Sequence, residues 1–162
     1  MKTQKLLVIA AIVCMLVGVS GEAAMAGSCA DGVIQNETFD GNLVIRNVTS
    51  CTILGSTIEG NLRLINVGNV LLLNNVVGGN LRVRDGGVAS VIANTVFGGN
   101  LVVKDNNSAN VIENETLNGN IRVNFNVTAV VQKNISVRDL ICRENSTLGS
   151  FINFAAITLD CD

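Results

Sequence analysis

The side chains able to do chemistry in this sequence fall into three groups: five cysteines, a scatter of carboxylates, and a set of regularly spaced arginines and lysines. Histidine is absent, which removes Ser-His-Asp nucleophilic catalysis, and no G-x-S-x-G turn occurs. Cys29, Cys51, Cys142 and Cys161 lack the close C-x₂₋₄-C spacing of zinc sites. Asp85 and Asp105 follow equivalent strands, as a pair of calcium ligands would, but Asn47, Asn66 and Phe125 fill the same place elsewhere and do not sustain a ligand column. Glu113 and Glu115, with Asp105 before them, are the acids to weigh as a glycosidase pair. That chemistry needs two carboxylates across a cleft, whereas these alternate along one side of a strand. No catalytic residue, metal site or cofactor is therefore assigned. Arg46, Arg63, Arg82, Arg84, Lys104 and Arg122 remain, and a row of cations attracts an extended polyanion by focusing charge.

The elements that must position these residues follow a leader. A basic start at Lys2 and Lys5, the apolar run from Leu6 to Val19 and the small-residue exit Ala24-Met25-Ala26 read as a signal peptide over 1–26. The run is short for a membrane span and no second one follows, so no transmembrane segment is expected. Residues 27–162 suit one domain, secreted to the extracellular space. Proline, tryptophan and tyrosine are absent as well, while Gly, Asn and Val abound. That composition disfavours long helices, and 48% hydrophobic residues disfavour disorder.

One phrase recurs: GNLVIRN at Gly41, GNLRLIN at Gly60, GNLRVRD at Gly79, GNLVVKD at Gly99 and GNIRVNF at Gly119, in steps of 19, 19, 20 and 20 residues. A degenerate copy, DLICREN, starts at Asp139, and a second marker precedes each start: Asn36, Gly55, Asn74, Asn94, Asn114 and Asn134. Apolar positions keep step with these markers. One column runs Leu43, Leu62, Leu81, Leu101, Ile121, Ile141, and the next runs Ile45, Leu64, Val83, Val103, Val123. A third runs Phe39, Ile58, Val77, Phe97, Leu117, Val137, and a fourth Ile34, Ile53, Leu72, Ile92, Ile112. Period-two spacing inside a twenty-residue repeat means short strands separated by turns. Such strands bury their apolar faces only when coils stack about 4.8 Å apart, turning each column into an interior row. The expected fold is all-β: a single-domain parallel β-solenoid (β-helix) of about six coils of 19–20 residues, right-handed by the usual crossover rule, with atypical terminal coils. Gly-Asn marks the turns, and the Asn columns are expected to form hydrogen-bonded ladders.

The stretch from Val91 to Asp105, V-x-x-N-T-V-x-G-G-N-L-x-V-x-D, resembles the repeats of uncharacterised secreted proteins of the parallel β-helix type, which often end in a cysteine-bearing copy. The resemblance covers Val33 to Asn145 and implies the architecture without transferring any catalytic residue. Gly55 in place of the marker Asn, and Asp139-Leu140 in place of Gly-Asn, depart from the pattern, the latter as expected of a coil that closes the stack.

Between the first two columns lie Val44, Arg63, Arg82, Val102, Arg122 and Cys142, and after the second come Arg46, Ile65, Arg84, Lys104, Asn124 and Glu144. Alternation points both sets outward on one face. Six of the nine basic residues beyond Ala26 thus gather on one sheet, although acidic side chains there number 12. Cys142 and Cys161 are 19 residues apart, one coil, so pairing is expected between them and between Cys29 and Cys51. Seven N-x-S/T sequons occur. Asn36, Asn114 and Asn134 fall in the marker column, which leaves Asn47, Asn106, Asn126 and Asn145 as the glycosylation candidates. The reading of function is a noncatalytic secreted structural or adhesive protein whose basic strip takes an acidic polysaccharide or anionic surface. Nucleic acid is disfavoured because aromatic stacking platforms are missing. A carbohydrate-directed enzyme is one alternative. An ice-binding protein is another, although the Thr38, Thr57, Thr116, Ser136 register is interrupted by Val76 and Val96.

Overall fold

The computed structural model describes Cys29 and residues 32–161, apart from the side chain of Phe151. The expected leader lies outside the described residues. Each coil contributes one strand to each of three seven-stranded sheets, and all neighbours pair in parallel with the next coil along the chain. The first sheet contains Val33–Gln35, Ser50–Leu54, Asn69–Leu73, Val88–Ile92, Ser108–Ile112, Thr128–Gln132 and Thr147–Phe151. The second is built from two-residue strands, from Thr38–Phe39 to Phe154–Ala155. The third runs from Leu43–Arg46 through Leu62–Ile65, Leu81–Arg84, Leu101–Lys104, Ile121–Asn124 and Asp139–Cys142 to Thr158–Cys161. The fold is the expected all-β parallel solenoid. It has seven coils, because a further coil without a Gly-Asn phrase follows the one at Asp139, which therefore does not close the stack.

The core is a set of stacked columns. Leu43, Leu62, Leu81, Leu101, Ile121 and Leu140 are fully buried in one row, and Ile45, Leu64, Val83, Val103 and Val123 fill the row beside it. Burying each such leucine contributes about 1.5–3 kcal/mol. Leu140 takes the place expected for Ile141, which lies opposite Arg122 and faces outward, while Cys142 turns inward. The turn before Asp139 is one residue shorter than its predecessor: Asp139 stacks on Asn120, donating its N–H to the Asn120 Oδ1 at 3.1 Å.

Two other columns shift by one residue from the fourth coil onward. Opposite Val77 stands Val96, then Thr116, Ser136 and Ala155, so Phe97, Leu117 and Val137 leave the expected interior row. The change from 19 to 20 residues falls at Phe97, an extra turn residue that lies exposed. Thr116 and Ser136 are buried because their hydroxyls donate to the Gly119 carbonyl at 3.0 and 3.1 Å. In the first sheet the interior row is Ile34, Ile53, Leu72, Val91, Val111 and Val131, so Ile92 and Ile112, expected inside, stand outside.

The three corners explain these shifts. Between the first and second sheets, Asn36, Gly55, Asn74, Ala93, Glu113, Lys133 and Ile152 all adopt left-handed backbone, with φ between 45° and 58°. The next position holds Ser56, Asn75, Asn94, Asn114 and Asn134, all buried, followed by Asn153. The marker asparagines thus belong to two columns. Asn36 and Asn74 serve because Asn tolerates the left-handed region, whereas Asn94, Asn114 and Asn134 bond inside the coil. Gly55 takes the same left-handed backbone, at φ 55°, where glycine bears no Cβ penalty.

Asn114 shows what the buried amide does. Its Oδ1 accepts from the Asn94 N–H and Nδ2, both at 3.0 Å. Its Nδ2 reaches the Val91 carbonyl at 2.8 Å, the Ile112 carbonyl at 3.1 Å and the Asn134 Oδ1 at 3.0 Å. A second ladder joins the third sheet to the next coil through Asn106, Asn126 and Asn145, after another left-handed column that includes Asn47, Asn66, Asp85 and Asp105. The Gly-Asn corner carries a third, Asn42 to Asn120, in which each later coil donates to the amide oxygen of the earlier one. Gly60 in this corner stacks so closely on Gly41 that a Cβ would lie 2.5 Å from its carbonyl. Among the described residues no buried side-chain nitrogen or oxygen lacks a partner.

Removing a fully bonded buried amide leaves several donors and acceptors unpaired, at about 1–3 kcal/mol each. Asn114→Ala is expected to destabilise the protein by at least about 3 kcal/mol. Asn42→Ala, at the half-exposed first step of its ladder, should cost about 1 kcal/mol or less. Urea denaturation followed by circular dichroism measures both; equal shifts of the midpoint would contradict the ladder assignment.

Candidate functional site

The outer face of the third sheet collects six of the chain's 11 basic residues. The alternation of LVIR, LRLI, LRVR, LVVK and IRVN buries the first and third residues and turns the second and fourth outward. Arg63 lies beside Arg82 in one outward column, with Val44 before them and Val102 then Arg122 after. The other column runs Arg46, Ile65, Arg84, Lys104, Asn124. All six basic residues read from the sequence therefore share one outward face across five coils, about 19 Å from first to fifth at the usual strand spacing. The sixth coil departs from the expected columns, since Arg143 rather than Glu144 stacks on Asn124, with its N–H bonded to the Asn124 Oδ1 at 3.0 Å.

Like charges on adjacent strands repel, and the face is partly balanced at its edge. Arg84 pairs with Asp85 at 2.9 Å and Lys104 with Asp105 at 2.7 Å, both pairs more than a third exposed. Such pairs contribute about 0–1 kcal/mol. Arg143 pairs with Asp160 at the far end. Arg63, Arg82 and Arg122 project from the middle of the face, each a cation next to solvent at a spacing of one or two coils.

The other candidate groups are placed apart. Asp85 and Asp105 occupy successive left-handed corners and are engaged by their basic neighbours. Among the described residues no group of three or more His, Cys, Asp or Glu comes together. Glu113 sits at a corner, paired with Lys133 at 3.2 Å, while Glu115 lies on the second sheet between Thr95 and Ile135. The threonine register differs too: Thr38, Thr57, Val76 and Thr95 face outward, followed by Glu115, while Thr116 and Ser136 are inside. No helix among the described residues is long and apolar enough to cross a membrane.

Both expected disulfides are present, Cys29 to Cys51 and Cys142 to Cys161, with Cα atoms 5.6 and 4.4 Å apart. Each ties neighbouring coils near one end of the stack. Closing loops of this length contributes about 3 kcal/mol.

Of the sequon candidates, Asn106 and Asn126 are buried, and the Nδ2 that a glycan would occupy already donates, to the Lys104 carbonyl at 2.8 Å and the Asn124 carbonyl at 3.1 Å. The Asn145 Nδ2 likewise reaches the Val123 carbonyl at 2.8 Å. Asn47 is exposed, and its Oδ1 accepts from the Asn66 Nδ2 at 2.9 Å, which leaves its own nitrogen directed away from the ladder bond. Asn36, set aside as a ladder member, is exposed as well. Protein folded in a glycosylating secretory pathway is expected to carry glycans at Asn36 or Asn47 and none at Asn106 or Asn126. Glycopeptide mapping checks this, and an occupied Asn106 in folded protein would contradict the burial. Comparison with protein-family models, curated proteins and solved structures found no match to the chain, so its functional reading rests on the fold and the faces described above.

Proposed function

We propose that the chain is a noncatalytic extracellular structural or adhesive protein whose third sheet binds an anionic polymer, an acidic polysaccharide or a comparable charged surface. The observation that carries this reading is the register of Arg46, Arg63, Arg82, Arg84, Lys104 and Arg122 on one outward face. Arg63 and Arg82 stand opposite each other on adjacent strands, where like charges disfavour one another, so an anion laid along them relieves that repulsion. Parallel stacking makes the face straight and periodic, which favours an extended chain over a compact ligand. Arginine forks suit carboxylate and sulfate groups by bidentate bonding. The two disulfides accord with an exported protein that must stay rigid outside the cell.

Binding through such a face is screened by salt, since the Debye length falls from about 10 Å at 0.1 M to about 3 Å at 1 M. Immobilised acidic and neutral polysaccharides, probed at both salt concentrations, are expected to retain the protein only when acidic and only at low salt. A variant with all six basic residues changed to Gln should lose at least about tenfold in affinity, or about 1.4 kcal/mol. Equal retention of wild type and variant would overturn the proposal, and turnover of any polymer would favour a carbohydrate-directed enzyme.

A further inference from the structure

The two ends of the stack are finished differently. In the first coil Leu43 and Ile45 are at most 2% exposed, and Ile34 is buried as well. In the last coil the same interior rows lie open: Leu159, which stacks on the fully buried Leu140, is 53% exposed. Leu148 and Ala155, stacked on the buried Ala129 and Ser136, are only partly covered. On the outside of this coil Ile152, Phe154 and Ile157 are more exposed still. With Leu159 they make up four of the six large hydrophobic side chains that are more than half exposed among the described residues. From Ser146 to Leu159 the chain holds no Asp, Glu, Lys or Arg, and Asp160 is engaged by Arg143.

The backbone of this coil is as open as its side chains. Thr147–Phe151, Phe154–Ala155 and Thr158–Cys161 are each the outermost strand of their sheet, paired on one side. The Asn134 N–H donates to the Asn153 Oδ1, whereas the Asn153 N–H, next in that ladder, meets no further coil among the described residues. Such an edge is a template for another strand, and proteins that stay single blunt it with lysine, proline or a bulge. TLGSF, FA and TLDC contain neither lysine nor proline.

We propose that the last coil is the interface between two copies of the chain, joined end to end about a twofold axis. The proposal does not depend on the polyanion reading. A lipid surface is a poor occupant, because the unpaired N–H and C=O groups beside the apolar rim find no partner in hydrocarbon. Stacking the last coil of one copy on the first coil of another would build a filament, but the interior rows at the first coil are already closed. A twofold contact sets like against like, and an uncharged segment does not repel its own copy. A strand set against itself in this way runs antiparallel, so the Thr147–Phe151 edges pair, the open interior of each copy closes the other, and Ile152, Phe154 and Ile157 cover the rim. The basic face of each copy stays open to solvent.

Sedimentation equilibrium of the disulfide-bonded protein, from micromolar to millimolar concentration in 0.1 and 1 M NaCl, tests the proposal. The expected result is a monomer–dimer equilibrium that stops at two copies and that salt does not weaken, which separates it from electrostatic binding to a polymer. Phe154→Lys with Ile157→Lys should weaken the dimer at least about tenfold, and so should Thr158→Lys, which removes no apolar group. Val76→Lys with Val88→Lys, at exposed valines in the middle of the stack, should leave the dimer intact, and circular dichroism reports whether each variant keeps the fold. A wild-type monomer at every concentration would overturn the proposal. So would a dimer that survives both end variants, growth beyond two copies, or a monomer that binds phosphatidylcholine vesicles.

Discussion

Every coil of this protein turns three corners, and each corner puts backbone N–H groups where the chain cannot satisfy them itself. The stacked asparagine amides are the interaction on which the rest depends. At the corner after the first sheet, a side-chain oxygen from the following coil accepts the buried N–H of the preceding one, from Ser56 through Asn134, and the matching Nδ2 closes on interior carbonyls such as those of Ile53 and Val91. An unmade bond here would cost about as much as burying a methyl-rich side chain returns. The aliphatic rows are apolar adhesive without direction; the amides determine which residue stacks on which.

That division of labour frees the outer faces. Because the coil is closed from within, outward residues on the first and third sheets carry no duty to the fold beyond covering backbone, and they have separated into a neutral face and a basic one. Left-handed corners bear Ala93, Glu113, Lys133 and Phe125 despite the strain of about 1–2 kcal/mol that such backbone imposes on a side chain. Neighbouring coils above and below hold those residues in place. The first and last turns of the stack have fewer such neighbours, and both disulfides lie near the ends.

The architecture was legible because one corner never varies its letters: Gly-Asn from Gly41 to Asn120 fixes five turns and the leucine row that follows each. The basic face was legible for the same reason, being counted from that corner. Phase was lost where a single residue type does two jobs. Asn36 and Asn74 occupy left-handed backbone, Asn94 and Asn114 the ladder one position later, and a column drawn through all four crosses from outside to inside. In the strands Val88–Ile92 and Ser108–Ile112 both Val and Ile are apolar, so alternation alone did not say which row faces the core. The buried hydroxyls of Thr116 and Ser136 had no hydrophobic signal to reveal them. The sequons of Asn106 and Asn126 read as surface turns for want of any sign that the next coil's amide would cover them.

Adjacent residues Asn74 and Asn75 differ most sharply, since one is exposed at a left-handed corner and the other is buried in the amide ladder. Hydrogen exchange of their side-chain amide protons, resolved by NMR, measures the difference directly. The Asn75 Nδ2 protons, held by the Ile53 carbonyl at 2.9 Å and the Asn94 Oδ1 at 3.0 Å, are expected to exchange only with opening of the coil, as are those of Asn94 and Asn114. Those of Asn74 should exchange at the rate of a solvated amide. Fast exchange at Asn75, or equal protection at both positions, would contradict the claim that buried amide ladders set the register of the solenoid.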